Sequence, residues 1–79
     1  MIKLRYFASL RELIGSAEEE VFILEGSSVE SLLEVVKSLH DPLKDVETIM
    51  VAINGKYAQL GASIEEGDVV ALFPPVSGG

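Results

Sequence analysis

One stretch fixes most of what this chain can become. From Val29 onward, Val29, Leu32, Leu33, Val36 and Leu39 recur with the helical period and make one apolar stripe. The stretch opens at Gly26-Ser27-Ser28-Val29-Glu30. There Ser27 is placed to accept the N–H three residues on, and Glu30 to reach back to the Ser27 N–H. It closes near His40, where Asp41-Pro42 forbids another helical turn. One amphipathic helix covers one face of one sheet, so the expected architecture has two layers, helix against strands.

The remaining segments supply those strands. Ile2, Leu4 and Tyr6 alternate with Lys3, Arg5 and Phe7, the period of a strand with one face inward. Phe7 then falls on the outer face, as either a satellite packing residue or a partner contact. Leu10, Leu13 and Ile14 have helical spacing and stop at Gly15, which predicts a short helix with Arg11 pointing away from its stripe. Ser16-Ala17-Glu18-Glu19-Glu20 reads as a polar connection whose acidic run is a solvated turn. Val21-Phe22-Ile23-Leu24 reads as the second strand, folding back on the first.

Beyond the long helix, Leu43 to Thr48 is a connector, and Ile49 to Ile53 is an almost wholly apolar strand suited to the sheet interior. Asn54-Gly55 is the strongest turn signal of the chain, with Lys56 to Gln59 returning as a short edge strand. Leu60 to Ser63 is irregular, Ile64 to Asp68 is a tight turn around Gly67, and Val69 to Phe73 closes the sheet. In that strand Val70 and Leu72 point one way, Ala71 and Phe73 the other. Pairing the first and last strands at the centre requires a parallel crossover through the helix, which right-handed connections allow. The result is an α+β domain with a mixed sheet on one main helix, the β-grasp arrangement. His40, the one histidine, lies in the last helical turn, where a cation interacts well with the helix dipole; the sequence offers it no catalytic partner.

With 79 residues, 48% of them hydrophobic, the chain is one small domain able to hold a core. It has no cysteine, so thiolate, disulfide and cysteine-zinc chemistry are excluded. Six basic against thirteen acidic residues give a formal charge of −7, which disfavours nucleic acid and anionic membranes. A basic protein partner complements that charge, and solubility alone also accounts for it. No apolar run approaches the ~20 residues of a membrane span, and Met1-Ile2-Lys3-Leu4-Arg5 leads into a strand, so a cytoplasmic protein is expected.

The last six residues, Pro74-Pro75-Val76-Ser77-Gly78-Gly79, follow the closing strand. Neither proline can continue a ladder, so Pro74 and Pro75 lift the chain away as a stiff stalk. Gly78 and Gly79 lack Cβ atoms, which suits a terminal carboxylate to threading down a narrow channel. A frayed terminus has the same composition. Residues 1–75 are thus expected to form the domain and 76–79 a flexible reactive tail.

Several stretches carry a family resemblance across essentially the whole chain. They are Phe7-Ala8 with Leu10-Arg11-Glu12 and Gly15, Val51-Ala52-Ile53-Asn54, Gly67-Asp68, Val70-Ala71, and above all Phe73-Pro74-Pro75-Val76-Ser77-Gly78-Gly79. In these the chain resembles the small subunits of molybdopterin synthase, ubiquitin-like sulfur carriers of β-grasp type. It departs from them at Val69, where an acidic residue often follows the Gly-Asp pair. The resemblance implies that an activating enzyme of the ubiquitin-activating type adenylates the Gly79 carboxylate with ATP and magnesium, neither held by this chain. A sulfur donor protein then supplies the sulfur of a thiocarboxylate. The loaded tail enters a large subunit and gives sulfur to a cyclic pyranopterin monophosphate. The chain would be the non-catalytic subunit of a transferase, expected as a heterotetramer. Gly79 would react, Gly78, Ser77 and Val76 would thread, Pro74 and Pro75 would set the stalk, and Phe7, Arg11, Leu60 and Phe73 would dock the partner. A thiazole-forming sulfur carrier, a protein modifier joined to lysine, and a binding module with an idle tail are the alternatives.

Overall fold

The computed structural model describes residues 1–75, and in it the apolar stripe becomes a helix over Val29–Leu39. The expected tail residues Val76, Ser77, Gly78 and Gly79 lie outside the described residues. In chain order the elements are β1 (Ile2–Tyr6), α1 (Ala8–Ile14), β2 (Glu18–Val21), α2 (Val29–Leu39), a 3₁₀ turn (Asp41–Asp45), β3 (Met50–Ile53), β4 (Lys56–Tyr57) and β5 (Val69–Phe73). The five strands form one sheet in the order β2-β1-β5-β3-β4. β1 and β5 run parallel at its centre, and every other pairing is antiparallel. This is the β-grasp topology expected from the strand order.

Strand parity follows the sequence. Ile2, Leu4 and Tyr6 of β1 and Val70 and Leu72 of β5 are buried, and they meet Val29, Leu32 and Val36 of α2 in a single core. Burying each such side chain contributes about 1.5–3 kcal/mol, so the stripe of α2 alone rivals the ~5–15 kcal/mol net stability of a small domain. Leu43 of the 3₁₀ turn and Ile64 seal the two ends of this layer, both with no exposed surface.

The second strand lies earlier than the apolar pattern suggests. Glu18, Glu19 and Glu20 form β2 rather than a solvated turn, and Phe22 and Leu24 lie beyond it, exposed. Electrostatics across the ladder accounts for this. Glu20 faces Lys3 and Glu18 faces Arg5, and opposite charges on facing strand positions stabilise the pairing. Glu18 lies 4.0 Å from Lys3 and 3.7 Å from Arg5.

Glu19 has the opposite parity and turns inward, where its carboxylate accepts the Tyr6 hydroxyl at 2.8 Å and contacts the His40 ring. The Tyr6 and His40 rings meet edge to face at 5.9 Å. His40 therefore ties the end of α2 to β1 and β2, the structural role expected of it.

The capping box does not form. Ser28 is the N-cap, accepting the Ser31 N–H at 3.1 Å. The Ser27 hydroxyl donates to the Leu24 carbonyl at 2.6 Å, and the Glu30 N–H donates to Leu60. Ser27 is held one residue outside the helix because its own carbonyl accepts the Ile64 N–H at 2.8 Å. Ile64 is consequently a core residue and not part of the following turn. In α1 only Leu10 is fully buried and Leu13 is exposed, since seven residues give a helix too short to lay a whole stripe on the core.

Asn54 and Gly55 take the left-handed conformation at φ 49° and 86°, the two-residue hairpin turn expected of Asn-Gly. Asn54 also reaches the turn before β5, donating from Nδ2 to Asp68 Oδ1 at 2.9 Å and accepting the Val69 N–H at 3.0 Å. Asp68 Oδ2 accepts the Glu65 N–H at 2.8 Å, so the two turns are stitched together.

Two expectations follow. Leu32→Ala should destabilise by about 2–5 kcal/mol, enough to lower Tm by more than ~10 °C in a domain this small, which calorimetry would read. Burial, the hydrogen bond to Glu19 and that carboxylate's charge together push the Tyr6 phenol well above its ordinary range. With the folded value above the unfolded one, near ~10, this contribution is complete below pH ~10 and is lost as pH rises toward the folded value. In a Tyr57→Phe chain, alkaline titration should therefore show phenolate absorbance only together with loss of far-UV ellipticity. Ionisation at the ordinary value with the fold intact would contradict the assignment.

Candidate functional site

β5 carries the chain out of the sheet centre into Pro74 and Pro75, the last described residues. Alternation along β5 sends Val70 and Leu72 into the core and turns Val69, Ala71 and Phe73 to the opposite, helix-free face. The register extends that face sideways: Ala71 lies opposite Ala52, Phe73 opposite Met50, and Ala52 opposite Tyr57. The outer face is divided. On β2 and β1 it carries Glu18, Glu20, Lys3 and Arg5, whereas on β5, β3 and β4 it is apolar and flattened by the two alanines.

Phe73 is half-buried because Tyr57 leans over it, ring centres 5.8 Å apart and tilted by 59°. Met50, Tyr57, Phe73 and Pro75 surround a shallow cavity of about 430 Å³ at the end of β5. Tyr57 is 77% exposed, which makes it the most solvent-accessible large apolar side chain described. An exposed aromatic beside a partly open apolar hollow is the composition of a contact surface rather than of a core.

The four expected docking residues are only partly brought together. Phe7 sits where β1 gives way to α1, and its N–H donates to the Leu72 carbonyl at 3.1 Å, placing it beside Phe73 on the neighbouring strand. Its ring lies 5.9 Å from the Arg5 guanidinium, a cation–π arrangement. Arg11 is exposed on α1 and makes no ion pair among the described residues. Leu60 is exposed in the segment after β4, where its carbonyl accepts the Glu30 N–H at 3.0 Å, and no described contact joins it to Phe7 or Phe73. Pro74 is half-buried and Pro75 exposed.

Met50 and Tyr57 belong to the site and were not anticipated. The signal for both was available. A two-residue Asn-Gly turn fixes Ile53 opposite Lys56, hence Ala52 opposite Tyr57, and parity then puts Tyr57 on the face of Phe73.

Substituting this surface should leave the fold standing. Tyr57→Ala should shift the urea midpoint by the equivalent of less than ~1 kcal/mol, and a double-mutant cycle with Phe73→Leu should return a coupling of about 0.5–1.5 kcal/mol for the tilted pair. A much larger loss would make Tyr57 a packing residue.

Comparison with known proteins places the whole chain. A model described as ThiS family matches residues 4–79. The molybdopterin synthase sulfur carrier subunit of Chlamydomonas reinhardtii is 37% identical over 99% of this chain and 98% of its own. A solved structure of a putative molybdopterin converting factor subunit 1 from Pyrococcus furiosus superposes with TM-score 0.86 at 36% identity, covering 95% of this chain and 97% of that one. SAMP1 from Haloferax volcanii superposes with TM-score 0.85 at 33% identity, covering 99% and 98%. With its β-grasp sheet, its apolar outer face and a match running from the first strand to the final glycine, the chain belongs to the ThiS family.

Proposed function

We propose that this chain is the sulfur carrier subunit of a molybdopterin synthase. What carries the reading is the similarity, over nearly the full length of both chains, to a curated sulfur carrier subunit of that enzyme. The end of β5 supports it: Pro75 lies beside the apolar Met50–Tyr57–Phe73 surface, on which a partner can rest.

The chemistry is that of an activated carboxylate. The Gly79 carboxylate attacks the α-phosphate of magnesium-bound ATP in a ubiquitin-activating-type adenylyltransferase, giving an acyl adenylate and releasing pyrophosphate. Sulfide released by a donor protein attacks the acyl carbon, AMP leaves with the bonding pair, a proton is lost, and a thiocarboxylate remains. Inside the large subunit the thiocarboxylate sulfur attacks a carbon of cyclic pyranopterin monophosphate, an oxygen substituent of that carbon leaves with the bonding pair, and a thioester joins the two molecules. Water then cleaves the acyl–sulfur bond, leaving sulfur on the pterin and restoring the carboxylate. This chain contributes the leaving acyl group and the docking face, while the partners contribute the catalytic groups. Gly78 and Gly79 allow the close approach of channel walls that any Cβ would obstruct. Phe7, Phe73, Tyr57 and Met50 form the docking face, with Arg11 at its margin.

A second reading has an observation of its own, the superposition on SAMP1, a small archaeal modifier. A modifier uses the same adenylate, but a lysine amine takes the acyl group and forms an isopeptide.

Intact mass of the protein purified from its own cells separates these readings. The expected result is the increment for one oxygen replaced by sulfur, lost on deletion of Gly79. Lysine conjugates without that increment would make the chain a modifier. Unmodified protein in the presence of activating enzyme, ATP and sulfur donor would refute both. Phe73→Asp should weaken large-subunit binding more than ~tenfold while leaving the amide spectrum of the domain dispersed.

A further inference from the structure

On the helix side of the sheet, β2 and α2 leave a groove between them. Leu32 forms its floor, Phe22, Ile23 and Leu24 of the chain leaving β2 form one wall, and Val35 of α2 the other, around a cavity of about 260 Å³. A second hollow shares Ser31 and Val35 with it and continues along α2 past Glu34 and Ser38 to Leu39, so the two make one channel. Phe22 and Leu24 are 72% and 74% exposed, and Val35 and Leu39 are exposed as well. Single exposed apolar side chains are ordinary, but four along one channel are not.

An open sheet edge leads into the channel wall, since β2 ends at Val21, next to Phe22. β2 is a terminal strand and pairs only with β1, which leaves a row of backbone N–H and C=O groups facing outward. A second copy is poorly suited to that edge, because its Glu18 and Glu20 would lie along the same two carboxylates and like charges facing each other destabilise a ladder. The same charges favour a cation. None of the channel-lining residues is lysine or arginine, Glu34 lines it, and the exposed Glu20 and Glu25 bracket the Phe22–Leu24 wall. Lys37, two positions after Val35, is carried about 200° around the helix.

Parity adds a specification. Glu18 and Glu20 point to the outer face of the sheet and Glu19 and Val21 to the helix side, where the channel lies. A strand added to this edge alternates in the same way, so one set of its side chains meets carboxylates while the other meets Phe22, Leu24, Val35 and Leu39. We infer that the β2–α2 channel binds an extended segment of a partner protein in which basic and apolar residues alternate, joining the sheet as a further strand. The site lies across the sheet from Tyr57 and Phe73 and does not rest on the sulfur-carrier reading. It can be filled while the tail's root is engaged.

The test is a nuclear magnetic resonance titration of the isotope-labelled full chain with a short synthetic peptide alternating lysine and valine. A peptide of identical composition with its lysines and valines in separate blocks is the control. The alternating peptide should give saturable shifts in residues 18–25 and in Ser31, Val35 and Leu39. Val35→Lys or Leu24→Lys should weaken it at least ~tenfold. Glu34→Lys, at an exposed helix position, should also weaken it, and more at low salt than at high salt. The starting spectrum of each variant reports whether its fold is intact, and the substitutions fall on two separate segments of the channel wall, α2 and the chain leaving β2. Equal binding of the two peptides, absence of saturation, or shifts confined to Tyr57, Ala71 and Phe73 would overturn the inference. So would self-association in sedimentation that Leu24→Lys abolishes, since the channel would then belong to a second copy.

Discussion

The structure depends on β1 and β5 lying side by side. These strands come from opposite ends of the described chain, and their parallel pairing, Leu4 beside Val70 and Tyr6 beside Leu72, forms the inner wall that α2 covers. Two antiparallel strands could be joined by a turn, but a parallel pair needs a crossover, and α2 with its flanking loops fills that requirement. Every peripheral element is attached to this pair. β2 joins through charge complementarity with β1, and β3 through its antiparallel register with β5. The stitched turns at Asn54 and Asp68 then fix where β5 begins.

Where one physical pattern acted alone, the sequence could be read. Alternation gave the inward residues of β1 and β5, the helical stripe gave α2 to within a residue, and Asn54-Gly55 gave the hairpin. Reading failed where two rules competed at one place. Val21 to Leu24 has the composition of a strand, but ladder formation was decided by Glu18 and Glu20 meeting Lys3 and Arg5, a pairing visible only once the register is known. Likewise Ser27 satisfies the local rule for a helix cap, and a long-range bond from Ile64 moved that role to Ser28. In the candidate site Phe7 and Phe73 followed from parity. Tyr57 required one further step across the hairpin, and the position of Leu60 depends on an irregular segment that has no periodic signal at all.

The two faces of the sheet divide the labour. On one, α2 seals the core and leaves an apolar channel toward the β2 edge. On the other, no helix covers Ala71, Ala52, Phe73 and Tyr57, and the surface passes from charged at β1 and β2 to apolar at β5, β3 and β4. Such a gradient orients a partner before contact, because the charged side accepts only complementary groups and the apolar side contributes once water is expelled. The net charge of −7 gives the whole molecule the same long-range preference for a basic surface.

The central strand β5 has a consequence for the protein's synthesis. It is made after every other described element, and it immediately precedes Pro74 and Pro75. A nascent chain that has reached Asp68 has α2 and both hairpin partners but no centre for its sheet. Folding of so non-local a topology waits for the last strand. The core is therefore closed only once β5 has been made, and until then the apolar stripe of α2 has no complete sheet to cover.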